Sequence, residues 1–132
     1  MKKLGILFSL FAFVLVLQAS AQDQSSGAVI TFKEKSIDFG DIVQGAKVEH
    51  TFTLTNTGSA PLVISNVAAT CGCTVPSWPK EPVVPGKSAE IKVSFNSTGK
   101  MGKQNSVVRI YSNASEPIEK VSLISNVLPK TN

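Results

Sequence analysis

From Lys47 to Asn56 the side chains alternate strictly. Val48, His50, Phe52 and Leu54 share one parity, and Glu49, Thr51, Thr53 and Thr55 share the other. Successive side chains of an extended chain point to opposite faces, so this period of two marks a strand with one face buried. The outward face is threonine and glutamate, polar but for the most part compatible with a pleated surface. Asn56-Thr57-Gly58-Ser59 follows and supplies turn chemistry. Pro61 stands at the start of the next segment, where a missing N–H costs little. Leu62, Val63, Ile64 and Val67 then read as a more fully buried strand. The stretch 39–67 is thus expected to form a central pair of strands around which the others pack.

The rest of the chain continues in the same style. Short strands are expected at 28–33 and 35–39, the latter ending at Gly40, with 40–46 as a turn. Ala89, Ile91, Val93 and Phe95 alternate with Glu90, Lys92 and Ser94, which makes another strand. Residues 96–103 read as a polar loop, 104–111 as a strand with Val108 and Ile110 on one face, and 118–127 as the last strand. No stretch after the leader keeps helical periodicity over three turns. Seven short strands separated by turn signals point to an all-β fold, an antiparallel β-sandwich of immunoglobulin-like type.

Residues 1–21 stand apart from this pattern. Lys2 and Lys3 precede an apolar run from Leu4 to Leu17, and Ala19-Ser20-Ala21 has the form of a cleavage site. These are the three marks of a secretory signal peptide. The apolar run is 14 residues, short of the roughly 20 that span a bilayer. The expected organisation is a signal peptide at 1–21, a flexible N-terminus at 22–27, the sandwich at 28–128 and a short tail at 129–132. Export places the mature chain in the periplasm, at the cell surface or outside the cell, with no stable membrane insertion. Loss of Lys2 and Lys3 lowers the formal net charge from +4 to +2. The remaining lysines are scattered among carboxylates, so no basic patch for nucleic acid or anionic lipid is visible.

Residues 68–86 break the alternation. They carry both cysteines, the one tryptophan, and Pro76, Pro79, Pro82 and Pro85. That many prolines exclude a helix or a central strand, and a long connection in a small domain is often functional. Trp78, between Pro76 and Pro79, has two readings: a lid over one end of the core, or a recognition residue in a partner-binding loop.

Cys71-Gly72-Cys73 is the one stretch suited to chemistry. In extended chain, residues two apart point to one side with Cα atoms about 6.6–6.8 Å apart, the upper limit for a disulfide. Gly72 would allow a kink that brings the sulfurs together. The chain-entropy gain for so short a loop is about 1.6 kcal/mol, against about 3 kcal/mol for a fifteen-residue loop, so such a bridge is a poor staple. Three readings stay open: a structural bridge or buried thiol pair, a reducible pair that exchanges with a partner, and a soft-metal site in which Cys71 and Cys73 hold monovalent copper. Zinc would need more ligands. His50, the single histidine, lies on the apolar parity and reads as a core residue, and nothing brings Met101 to the cysteines. With no nucleophile elbow, phosphate-binding glycine loop or zinc-protease motif, the chain is expected to be no enzyme and to need no cofactor. Two glycosylation-type triplets, at Asn96 and Asn113, read as chance.

Phe39-Gly40, Gly45, His50-x-Phe52, Asn56-Thr57-Gly58, Pro61-Leu62, Cys71-Gly72-Cys73-Thr74-Val75-Pro76, Trp78, Pro85-Gly86 and Val93-x-Phe95, in this order and spacing, resemble the bacterial domain of unknown function family 1573. That family is common in exported proteins of Bacteroidetes-type bacteria. The resemblance covers roughly 37–127. It implies an immunoglobulin-like sandwich and export, and it implies no catalytic residue. The front half is also similar to immunoglobulin-like domains of ciliary and major-sperm proteins, which act as scaffolding and protein-binding modules. The expected function is therefore an exported, non-enzymatic module that binds a protein or envelope partner. The alternative is a periplasmic thiol protein that uses Cys71 and Cys73 for redox exchange or copper binding. Neither the partner nor the oligomeric state is legible.

Overall fold

A computed structural model describes residues 27–131. The expected signal peptide lies outside these residues. Among them the chain forms eight strands and no helix: β1 (Ile30–Phe32), β2 (Ser36–Val43), β3 (Lys47–Asn56), β4 (Ile64–Ala69), β5 (Thr74–Ser77), β6 (Ser88–Asn96), β7 (Gly102–Ser112) and β8 (Ile118–Leu128). Two four-stranded sheets result, one in the order β1-β3-β6-β5 and the other β2-β8-β7-β4. The expected all-β, immunoglobulin-like sandwich is the observed fold.

The alternation in β3 has the predicted consequence. Phe52 and Leu54 are fully buried, while Thr51, Thr53 and Thr55 lie on the other face. Its partner β6 repeats the pattern with Ile91, Val93 and Phe95, paired in register from Lys47↔Asn96 to Thr55↔Ser88. The facing sheet contributes Val108 and Ile110 from β7, and Val121, Leu123 and Val127 from β8. Burying these side chains between the layers is the main source of stability, at about 1.5–3 kcal/mol for each large apolar side chain.

Four expectations change. First, the strands read as a central pair do not pair with each other. β3 lies in one sheet and β4 in the other, so the turn after Asn56 is a crossover between layers. Leu62 exchanges backbone hydrogen bonds with Val83 at 2.8 Å in both directions, and Asn113 takes the Val63 N–H and gives a hydrogen bond to the Pro61 carbonyl. Second, β4 is not fully buried. Ile64 and Val67 point inward while Ser65 and Asn66 are exposed, and Val63, just before the strand, is 42% exposed. Third, β2 continues through Gly40 to Val43. A bulge between Asp38 and Asp41 absorbs the extra residue, and Gly40 at φ 69° supplies the left-handed backbone it needs. β2 also pairs with β8 in parallel, so the sandwich is not wholly antiparallel. Fourth, the proline-rich connection contains an edge strand, β5, which raises the count to eight. Strand β7 likewise begins at Gly102, inside the stretch read as a loop.

Candidate functional site

The segment from Thr70 to Lys87 leaves β4 in one sheet, crosses to the edge of the other as β5, and then runs along the flank of β6. All the sequence candidates except His50 fall on it.

Cys71 and Cys73 are joined by a disulfide, with Cα atoms 5.3 Å apart. The backbone is therefore contracted relative to an extended strand. Gly72 is not among the glycines with positive φ, and a Cβ at its position would meet nothing within 4 Å. The kink expected of Gly72 thus needs no conformation peculiar to glycine. Non-covalent bonds hold the same short loop: Thr70 N–H donates to the Val107 carbonyl at 3.1 Å, Thr74 N–H to Cys71 at 3.3 Å, and Asn96 N–H to Cys73 at 2.9 Å. Thr74 is buried, and its hydroxyl oxygen lies 3.8 Å from the Cys71 sulfur and 3.9 Å from the Cys73 sulfur. Cys73 packs against the hydrophobic core. The copper reading needs two free thiolates, and in this state each sulfur is bonded to the other. Among the described residues no three His, Cys, Asp or Glu side chains converge as metal ligands.

Pro76 sits within β5, which pairs on one side with β6. The bond from Asn96 to Cys73 sets the phase of the ladder, so Val75 and Ser77 bond toward β6 while Thr74 and Pro76 turn their backbone outward. Thr74 N–H is already taken by Cys71, and proline has no N–H to offer. The outer edge of β5 thereby offers a further strand no N–H donor at these two positions. This weakens one form of partner binding, strand addition at β5, that the bare sequence leaves open, since only carbonyls are left on that side.

Trp78 is half-buried and packs against the core. The Lys80 ammonium lies over its ring, 3.2 Å from the centroid, an arrangement that favours the cation. The indole N–H is buried without a hydrogen-bond acceptor. Beside it opens a groove of about 740 Å³, with Trp78, Pro79, Pro82 and Val84 on the loop side and Glu90 and Lys92 on the outward face of β6. Val84 is 48% exposed. Pro76 forms part of β5 and is not a lining residue of this groove, whereas Trp78 and Pro79 are.

His50 follows its expected parity but reaches only the margin of the core. Its ring stands edge-on to Phe52 at 4.7 Å and to Phe39 at 6.5 Å, and its Nε2 meets the Glu34 carboxylate. Glu34 carries no local sign of this role, being sixteen residues away. Thr74 and Lys80 were missed although each lies beside a candidate residue in sequence. Neighbours of a cysteine pair or a tryptophan that bear a hydroxyl or an ammonium are the signal that would have found them. Asn96 and Asn113 have local structural roles: Asn96 accepts from Thr98, and Asn113 braces the crossover.

The profile of the family described as "Protein of unknown function (DUF1573)" matches residues 30–127. No curated protein matches the chain. Among solved structures it is similar to a protein of unknown function from Porphyromonas gingivalis W83, with a TM-score of 0.67 and 15% identity, over 80% of this chain and 50% of that one. It is also similar to the ASH/PapD-like domain 7 of human CEP192, with a TM-score of 0.64 and 11% identity, over 80% of this chain and 89% of that one. The VesB protease of Vibrio cholerae gives a TM-score of 0.58 and 13% identity, over 74% of this chain and 31% of the protease. At these identities the likeness is one of fold. The chain spans half the length of the Porphyromonas protein and under a third of the protease.

Proposed function

This chain belongs to the DUF1573 family, and we propose that it works as an exported, non-enzymatic module that binds a protein or cell-envelope partner. The observation that carries the reading is the groove between the Trp78–Val84 loop and the outward face of β6. Its loop side carries Trp78, Val84 and two prolines beside Glu81 and Lys87, and its floor holds charges of both signs. Such a surface suits a partner with an apolar anchor and a polar rim. The lack of free N–H donors on the outer β5 edge directs the choice toward the groove rather than strand addition there. The sandwich also recurs as a part of longer chains, covering 31% of the VesB protease and half of the Porphyromonas protein, as a module with a supporting role would. The leader at 1–21 supplies the route out of the cytoplasm.

The test is crosslinking pull-down from an envelope fraction with the mature chain as bait. Val84→Glu introduces a charge into the groove, and Ile118→Glu introduces one on β8 in the other sheet, where the native side chain is 47% exposed and does not line the groove. The expected result is a partner captured by the wild type and the Ile118 variant and lost with Val84→Glu. Capture that is indifferent to Val84, or no capture by any form, overturns the groove as the contact surface.

A further inference from the structure

We propose that the Cys71–Cys73 bridge is a thiol–disulfide exchange site that takes a dithiol, with Cys71 as the attacked sulfur and Thr74 as its positioning residue. The proposal does not depend on the groove or its partner. It rests on three observations. The bridge closes a loop with a sequence separation of 2, which restrains the unfolded chain little. The two ends of the segment are also held by backbone hydrogen bonds that do not involve the sulfurs, from Thr70 N–H to the Val107 carbonyl and from Asn96 N–H to the Cys73 carbonyl. Opening the bridge therefore leaves two sulfurs already positioned to close again. The buried Thr74 hydroxyl stands within reach of both sulfurs, and a buried hydroxyl retains its place only with a partner.

The direction of attack follows from packing. Cys73 leans on the hydrophobic core, so an incoming thiolate meets Cys71 first and drives Cys73 out as the leaving group. A thiolate released against apolar side chains is disfavoured. The Thr74 O–H offsets that cost, because its weak contact with a disulfide sulfur becomes a hydrogen bond to an anion. In the first step one thiolate of the dithiol bonds to Cys71 Sγ, the Cys71–Cys73 bond breaks, and its electron pair stays on Cys73 Sγ. In the second step the other thiol of the partner attacks the mixed disulfide and Cys71 leaves with the electron pair. The two protons of the dithiol end on Cys71 and Cys73. The partner is oxidised to a disulfide and this chain is reduced to a dithiol.

The experiment places the purified mature protein in glutathione buffers of graded ratio and counts free thiols by alkylation and mass, both over time and at equilibrium. The wild type is expected to open and close reversibly with its far-ultraviolet circular dichroism unchanged, whereas structural disulfides stay closed in such buffers. Thr74→Val removes the hydroxyl and keeps the shape. It is expected to slow opening by reduced glutathione about tenfold, close to the worth of one hydrogen bond to an anion, and Thr74→Ser to restore the wild-type rate. Free Cys71 in Cys73→Ser is expected to react with oxidised glutathione faster than free Cys73 in Cys71→Ser. A bridge that stays closed in reduced glutathione, loss of fold on reduction, or an opening rate unmoved by Thr74→Val with a folded spectrum overturns the proposal. Equal rates in the two single-cysteine variants overturn the assignment of Cys71.

Discussion

The side-chain amide of Asn56 donates a hydrogen bond to the backbone carbonyl of Val83 across 2.8 Å, from the end of β3 to the far end of the proline-rich segment. The same amide donates to the Ala60 carbonyl, and its oxygen accepts from the N–H groups of Val29 and Gly58. The Asn56 backbone bonds Gly86 and Lys87 at 2.8 and 2.9 Å. One fully buried polar residue thus ties the first strand, the turn after β3 and the loop that carries the candidate sites.

Asn56→Ala leaves three backbone groups without a partner, the Val29 and Gly58 N–H and the Ala60 carbonyl, while the Val83 carbonyl keeps the Leu62 N–H. Each buried, unsatisfied group costs about 1–3 kcal/mol, and those near the surface recover part of this from water. The expected loss is about 3–4 kcal/mol in urea unfolding. Asn56→Asp keeps the acceptor but turns a carboxylate oxygen toward the Ala60 and Val83 carbonyls, so it is expected to be at least as damaging at neutral pH. A loss below about 1 kcal/mol in either variant would show that the hub carries no load.

Two glycines with no left-handed backbone are expected to differ sharply. A Cβ on Gly58 would stand 2.1 Å from the Gly27 carbonyl oxygen and 2.6 Å from Val29 N, both backbone atoms that cannot swing aside. Gly58→Ala is therefore expected to cost about 1–3 kcal/mol, as overpacking does. Gly72→Ala meets open space and is expected to keep both stability and the disulfide. Thermal melts with thiol counts read both outcomes.

Trp78 is expected to respond by shape rather than by polarity. Trp78→Ala empties a half-buried aromatic site against the core, at a cost of about 3 kcal/mol. Trp78→Phe keeps a ring there and deletes an N–H that has no acceptor, so a cost of about 1 kcal/mol or less is expected. Lys80→Ala should cost about 0.5–1 kcal/mol through the lost cation–ring contact. Equal losses for the alanine and phenylalanine variants would count against the packing role.

The mature chain is expected to begin at Gln22. Intact mass of protein recovered from the periplasm or medium reads this directly. Retention of residues 1–21 would point to an anchored form instead.

Much of the fold was readable because alternation reports which side of a strand is wet. Phe52, Leu54, Ile91, Val93, Val108 and Ile110 all lie where their parity puts them. Alternation says nothing about which strand is the neighbour, and so the step from β3 to β4 was read as a hairpin when it is a change of sheet. The parallel pairing of β2 with β8 joins residues far apart in sequence, such as Ile37 and Leu123, and no local pattern encodes it. At the candidate site, the cysteine pair and the tryptophan loop stood out by composition alone. Their environment did not.

Sequence alone determined seven of the eight strands, the inward-facing residues and the proline-rich segment with its two cysteines, because each is written in local spacing or composition. Tertiary structure decided that Thr74 serves both sulfurs, that Pro76 and Cys71 leave the outer β5 edge without free N–H donors, that Lys80 covers Trp78 and that Glu34 reaches His50. These are meetings of groups set by how two sheets stack and where a crossover lands. A one-dimensional pattern records the preferences of each residue for water or for extended backbone, and it holds no distance between them.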